Sequence, residues 1–134
     1  MAGMNREDLE QLEKLTSQLR KQNNEAYHHY IHTVRGDESY EPDFYGQVKP
    51  FADSVKEKSD EWKPLALRYV KQYEPDYVYP LQVENTVENL EIISVQSFFP
   101  KTGKKRFVEM IKSIDFILEQ LEEQVRVTRK GKAH

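Results

Sequence analysis

Cysteine is absent from this 134-residue chain. That excludes disulfides, thiol nucleophiles, thiolate zinc sites and cysteine-ligated iron–sulfur clusters. No stretch approaches the roughly 20 consecutive apolar residues that a membrane span needs, and residues 1–10 hold no apolar run that would read as a secretory signal. A basic excess is missing too. Lysine and arginine number 20 against 23 aspartates and glutamates, leaving a net charge of −3, whereas coating nucleic acid requires a basic face. No serine, histidine and aspartate meet at a turn as nucleophilic catalysis needs, and Gly103-Lys104 lacks the first glycine of a Walker motif. These absences point away from an enzyme, imply no cofactor and make the cytoplasm the default location.

What is present is periodicity. Four stretches carry apolar residues in alternating steps of three and four, the signature of amphipathic helices. The first runs from Arg6 to Val34 behind the N-cap residue Asn5, with Leu9, Leu12, Thr16, Leu19, Asn23, Ala26 and Tyr30 as its seam. Arg35-Gly36-Asp37 stops it. The second region is expected in two pieces. Asp43 caps a short helix burying Phe44, Val48, Phe51 and Val55, kinked or stopped by Pro50, and a break falls between Lys56 and Asp60. A fresh start before Pro64 then places Trp62, Leu65, Tyr69 and Tyr73 on one face. Pro80 opens the third helix, with Val83, Val87 and Leu90 inward. Thr102 caps the fourth, whose seam is Phe107, Ile111, Ile114, Leu118, Leu121, Val125 and Thr128. The expectation is an all-α, antiparallel, up-and-down four-helix bundle with its second helix broken. It forms a single domain over residues 1–134 with a frayed basic tail at 129–134.

Three segments carry a resemblance: Ser39-Tyr40-Glu41-Pro42-Asp43-Phe44-Tyr45-Gly46-Gln47-Val48-Lys49-Pro50, then Tyr73-Glu74-Pro75-Asp76-Tyr77-Val78, then Lys104-Lys105-Arg106-Phe107. In that order and spacing they resemble the YppE-like family, small proteins of Bacillus and related bacteria. The resemblance covers about residues 40–125. It implies an up-and-down four-helix bundle in the cytoplasm and transfers no activity and no functional residues.

Three constellations remain as candidate sites. Glu25, His28, His29 and His32 share an arc of the first helix, and Glu-x-x-His is half of a di-metal bundle motif. The other half is missing, so carboxylates such as Glu84, Glu88 or Glu91 would have to complete it. Lys104, Lys105 and Arg106, with Lys101 just before them, gather where the fourth helix begins. Cations there oppose the helix dipole, and free backbone N–H groups beside them offer an anion or nucleotide site. Ile92, Val95 and Phe99 form a second apolar stripe on the third helix, opposite its inward face, where a peripheral helix should be polar. Either the Phe44–Val55 segment covers it, or a second copy or another protein does. Tyr77 and Tyr79, in a tyrosine-rich connection, join it as candidate interaction residues. With chemistry absent, the leading reading is a non-enzymatic interaction or regulatory module whose partner is another protein or a homodimer, not membrane or nucleic acid. A metal-binding bundle and an anion binder are the alternatives.

Overall fold

The computed structural model describes residues 3–132. Helix α1 spans Arg6–His29 and runs on as a π-helical turn, Tyr30–Val34. A second π turn, Phe44–Val48, leads into α2 at Lys49–Tyr73. Helices α3 (Pro80–Gln96) and α4 (Lys104–Lys132) complete an all-α bundle with no strand among the described residues. Each helix packs on its neighbours in chain order, and α4 closes the ring on α1. Cross-helix contacts fix the directions. Met4 N–H donates to Gln72 and Gln22 to Ser54, so α1 and α2 are antiparallel. Lys63 faces Glu84 while Lys56 faces Glu91, so α2 and α3 are antiparallel. Arg20 meets Asp115 and Arg129 meets Glu13, so α1 and α4 are antiparallel as well.

Local chemistry explains the helix ends. Asn5 accepts from the Asp8 N–H while the Asp8 carboxylate accepts from the Asn5 N–H, a reciprocal capping box at the start of α1. The Arg35 N–H bonds the Tyr30 carbonyl, five residues back, and Gly36 then takes the left-handed backbone (φ 82°) that ends the run.

The expected break in the second helix is absent. Residues 56–60 are helical, and Lys56 and Asp60 pair across them at 3.3 Å, as residues one turn apart do. Pro64 lies inside the uninterrupted α2, and Pro50 sits in its first turn, where a missing N–H leaves no helical bond unmade. The irregularity lies upstream, in the π turn. There the Asp43 side chain accepts from the Gly46 N–H, a contact a Cβ on Gly46 would disrupt. Phe44, expected inside, is 51% exposed, while Val48 and Val55 are buried. Thr102 does not cap α4. Its hydroxyl donates to the Gln96 carbonyl at the end of α3, and the first α4 bond runs from Phe107 N–H to Gly103. Nor does α4 fray at Arg129: it continues to Lys132, with Arg129 donating to Glu13 at 2.6 Å. Residues 133–134 of the expected tail lie outside the described residues.

The core follows the seams. Leu9, Leu12, Leu19, Leu90, Phe107, Ile114, Leu118 and Leu121 are fully buried together with Trp62, each large side chain stabilising the fold by about 1.5–3 kcal/mol. The polar interruptions of the α1 seam are tied in. Trp62 Nε1–H donates to Thr16 Oγ1 at 2.9 Å, and that hydroxyl donates to the Leu12 carbonyl at 2.6 Å. Asn23 Nδ2 donates to the Ile111 carbonyl across the α1–α4 seam. Replacing Thr16 by valine keeps the volume and strands the buried indole N–H, so Thr16→Val should cost about 1–3 kcal/mol in urea unfolding. Thr16→Ser, which keeps the acceptor, should cost distinctly less. A Thr16→Val variant as stable as the parent, with the loss confined to Thr16→Ser, would show that the methyl group, not the hydrogen bond, matters.

Candidate functional site

The four residues of the histidine cluster do not converge. His28 and His32 stack their rings at 5.4 Å, nearly parallel. His29 turns the other way, its Nε2 3.2 Å from the Tyr40 hydroxyl and its ring 4.9 Å from that of Phe98. His28 and His29 are consecutive residues of α1, about 100° apart around its axis, and that step sends their rings to different sides. Among the described residues no three histidine, aspartate or glutamate side chains gather as a metal cage would need. His134 lies outside them.

The basic cluster stays at the surface. Lys104, Lys105 and Arg106 are exposed in the first turn of α4, and none of them, nor Lys101, forms an ion pair among the described residues. Several arginines elsewhere in the bundle are engaged. Arg20 reaches Asp115, Glu119 and Glu122, and its pKa is raised chiefly by its hydrogen bond with Asp115. Arg126 and Arg129 share Glu13.

The apolar stripe of α3 is not covered from within. Ile92, Val95 and Phe99 are each 38–39% exposed. The Phe44–Val55 segment packs one position away: Phe51 meets the buried Phe98 at 5.9 Å and leaves Phe99 outside. The tyrosine connection divides. Tyr69 and Tyr73 stack at 4.8 Å inside the bundle end, and Tyr69 bonds Thr128, burial raising its pKa. Tyr77 and Tyr79 are more than 60% exposed, on either side of the buried Val78. Tyr77 adopts a positive φ of 66°, an uncommon conformation for a non-glycine residue.

Several concavities mark the surface. A wide groove of about 730 Å³ runs between α1 and α4 beside Arg20, Tyr27, Asp115 and Phe116. A smaller cleft of about 450 Å³ lies where α1, the start of α2 and the end of α3 meet, bounded by Gln22, Glu25, His29, Phe51, Ser97 and Phe98. Glu25 and His29, expected from the sequence as metal ligands, are instead two walls of this cleft, which the sequence does not reveal. Its other walls come from helices remote in sequence, and the one local signal is that Gln22 and Ser97 are polar residues beside buried positions.

Burial lowers the pKa of His29. Its folded value therefore lies below the unfolded one, near 6.5. Between these two values the unfolded chain binds more protons, so stability is full above the unfolded pKa and falls as pH drops through that window. Urea midpoints should therefore decline below about pH 6.5 in the parent, and His29→Gln should flatten that decline. An unchanged pH profile in the variant would assign the effect to other groups.

Residues 16–125 match the model of a family described as a bacterial domain of unknown function, DUF1798. The chain is 28% identical over 83 residues to the uncharacterized protein YppE of Bacillus subtilis, a stretch covering 62% of this chain and 68% of that protein. A crystal structure of a protein of unknown function from Listeria innocua superposes with a TM-score of 0.84 at 25% identity, over 94% of this chain and 99% of that one. The crystal structure of B. subtilis yppE gives 0.79 at 24% identity, over 89% and 95%. A DUF1798 protein from Staphylococcus aureus gives 0.75 at 24%, over 85% and 95%. Among the described residues no helix is long and apolar enough to cross a membrane.

Proposed function

The chain belongs to the DUF1798 family, and from that premise we propose that it is a non-enzymatic cytoplasmic interaction module that pairs with a second copy of itself through α3. The observation that carries this is the uncovered stripe Ile92, Val95 and Phe99. An apolar row on the outer face of a bundle helix is the ordinary mark of a protein-binding surface.

Charge selects the occupant. The exposed face of α3 continues from Ile92 back to Glu88 and Glu84 and forward to Phe99, beyond which lie Lys101, Lys104 and Lys105. A two-fold axis beside Ile92 and Val95 runs the two α3 helices antiparallel. Their apolar rows then meet at the centre, and the acidic half of each faces the basic segment of the other. Among the described residues Glu88 and the basic segment have no ion-pair partner, so these charges are available across such an interface. Two-fold closed dimers are the commonest assembly of soluble chains. The free cations at the start of α4 thereby acquire a role without any bound anion. Tyr77 and Tyr79 lie at the opposite end of α3 and are exposed. Residence in the cytoplasm belongs to this reading and rests on the cysteine-free composition.

Sedimentation equilibrium on the 15.9 kDa chain should give twice that mass at high concentration. Ile92→Glu should return it to monomer while changing stability by no more than about 0.5 kcal/mol, as an exposed position allows. Glu88→Lys should weaken the dimer, and adding Lys101→Glu should restore part of the loss. A parent that stays monomeric at the highest attainable concentration would overturn the proposal, as would a Phe99→Asp variant that unfolds instead of dissociating.

A further inference from the structure

We propose that the cleft between α1, α2 and the end of α3 binds a flat, uncharged heteroaromatic ring carrying N–H donors, of the class of a free nucleobase or nicotinamide.

Five serine and threonine side chains are buried: Thr16, Ser59, Thr86, Ser94 and Ser97. Four of them donate back to a carbonyl of the preceding turn: Thr16 to Leu12, Ser59 to Val55, Thr86 to Gln82 and Ser94 to Glu91. That is the default for a hydroxyl on a helix. Ser97 is the exception. It is fully buried, and its Oγ has no hydrogen-bond partner. Ser97 lines the cleft. So does Gln22, whose amide nitrogen is committed to Ser54 and whose Oε1, also buried, is without a partner. Two of the four buried unpartnered side-chain atoms among the described residues thus belong to one cleft. Leaving them unpaired is unfavourable unless something arrives to pair with them.

The lining defines what arrives. Gln22 Oε1 only accepts, so the ligand must donate. Ser97 can do either. Glu25 at the exposed edge is a further acceptor. No lysine or arginine lines the cleft, which disfavours a phosphorylated ligand. Three of the remaining wall residues are aromatic. Phe51 and Phe98 meet at 5.9 Å and His29 and Phe98 at 4.9 Å, leaving ring faces and edges for an aromatic guest. His29, its basicity lowered by burial, contributes an uncharged ring. The volume, about 450 Å³, falls in the range of small-molecule sites.

Adenine, cytosine and nicotinamide serve as probes against the full chain, with thermal unfolding and amide NMR titration as readouts. At least one should raise the melting temperature in a concentration-dependent way and shift the resonances of Gln22, Ser97 and Phe98. Ser97→Ala and Gln22→Leu should each weaken that binding about tenfold, the equivalent of one lost hydrogen bond. Ser97→Ala should also melt no lower than the parent without ligand, because it removes an unpaired buried hydroxyl. The Ile92→Glu variant should bind the probes as the parent does, which separates this site from the dimer surface. The proposal is overturned if all three probes leave the Gln22, Ser97 and Phe98 resonances unmoved. It is equally overturned if binding survives both cleft substitutions, or if Ser97→Ala melts well below the parent, the mark of a hydroxyl already satisfied by an internal water.

Discussion

The indole of Trp62 sets the terms for the rest of the bundle. It is the largest side chain in the core and is fully buried, and its N–H, cut off from water, must find an acceptor inside. Thr16 supplies one, and in doing so fixes how far α1 slides along α2. A shift of one helical turn would leave the indole facing a leucine, with Leu12 or Leu19 in place of the hydroxyl. With that register set, Met4 meets Gln72 at one end of the pair and Gln22 meets Ser54 toward the other. Asn23 does the same for the second seam of α1 by reaching the Ile111 carbonyl on α4. Hydrophobic burial supplies the bulk of the stabilisation but is nearly indifferent to sliding. Two polar residues in an apolar seam are what remove that freedom.

Much of this was legible in the chain because it rests on short-range rules. The apolar spacing identified the helices, and Asn5, Gly36 and Pro80 marked ends through capping and backbone geometry that depend only on neighbours. The failures share a different cause. Pro64 suggests a boundary if its lost hydrogen bond and its ring clash are judged alone, yet the packing of Val55, Trp62 and Tyr69 on one continuous face outweighs a local cost of about 3 kcal/mol. Thr102 looks like a cap because of its type and place. Its hydroxyl instead closes α3, while its carbonyl accepts from the Tyr30 hydroxyl. The π turns have no sequence signature at all, and both sit where the first connection leaves α1 and enters α2. The histidine arc failed through packing instead, since His29 of α1 turns to Tyr40 and Phe98 while His28 stacks on His32.

The candidate sites were less legible than the fold for the same reason. Exposure of Ile92, Val95 and Phe99 could be read as a possibility from their spacing, but whether the Phe44–Val55 segment would cover them depended on a fit of a few ångströms between Phe51 and Phe98. The cleft could not be read at all. Gln22 lies 75 positions from Ser97 in the chain, and neither is unusual in its own helix. Only their placement around one cleft makes their free atoms conspicuous. The similarity to solved relatives at 24–25% identity shows a shared bundle, and a shared bundle does not specify what is bound.

A four-helix bundle of this length could bury its apolar stripes and remain polar everywhere else. Helix α3 departs from that economy twice within seven residues, with an apolar row facing outward and an unpaired hydroxyl facing inward. Both departures are unfavourable in an isolated chain, the first through hydrated apolar surface and the second through a desolvated polar atom. Neither is needed for the fold: a polar residue at Val95 or an alanine at Ser97 would leave the seam formed by Val83, Leu90 and Ile93 intact. The same helix has the weakest separation of apolar and polar faces and the fewest charges of the four, with only Glu84, Glu88 and Glu91 along its length. Positions where correction would cost the core nothing are where function and stability can diverge, so the dimer surface and the cleft proposed for this chain both draw on the end of α3, the cleft together with Glu25 and His29 of α1.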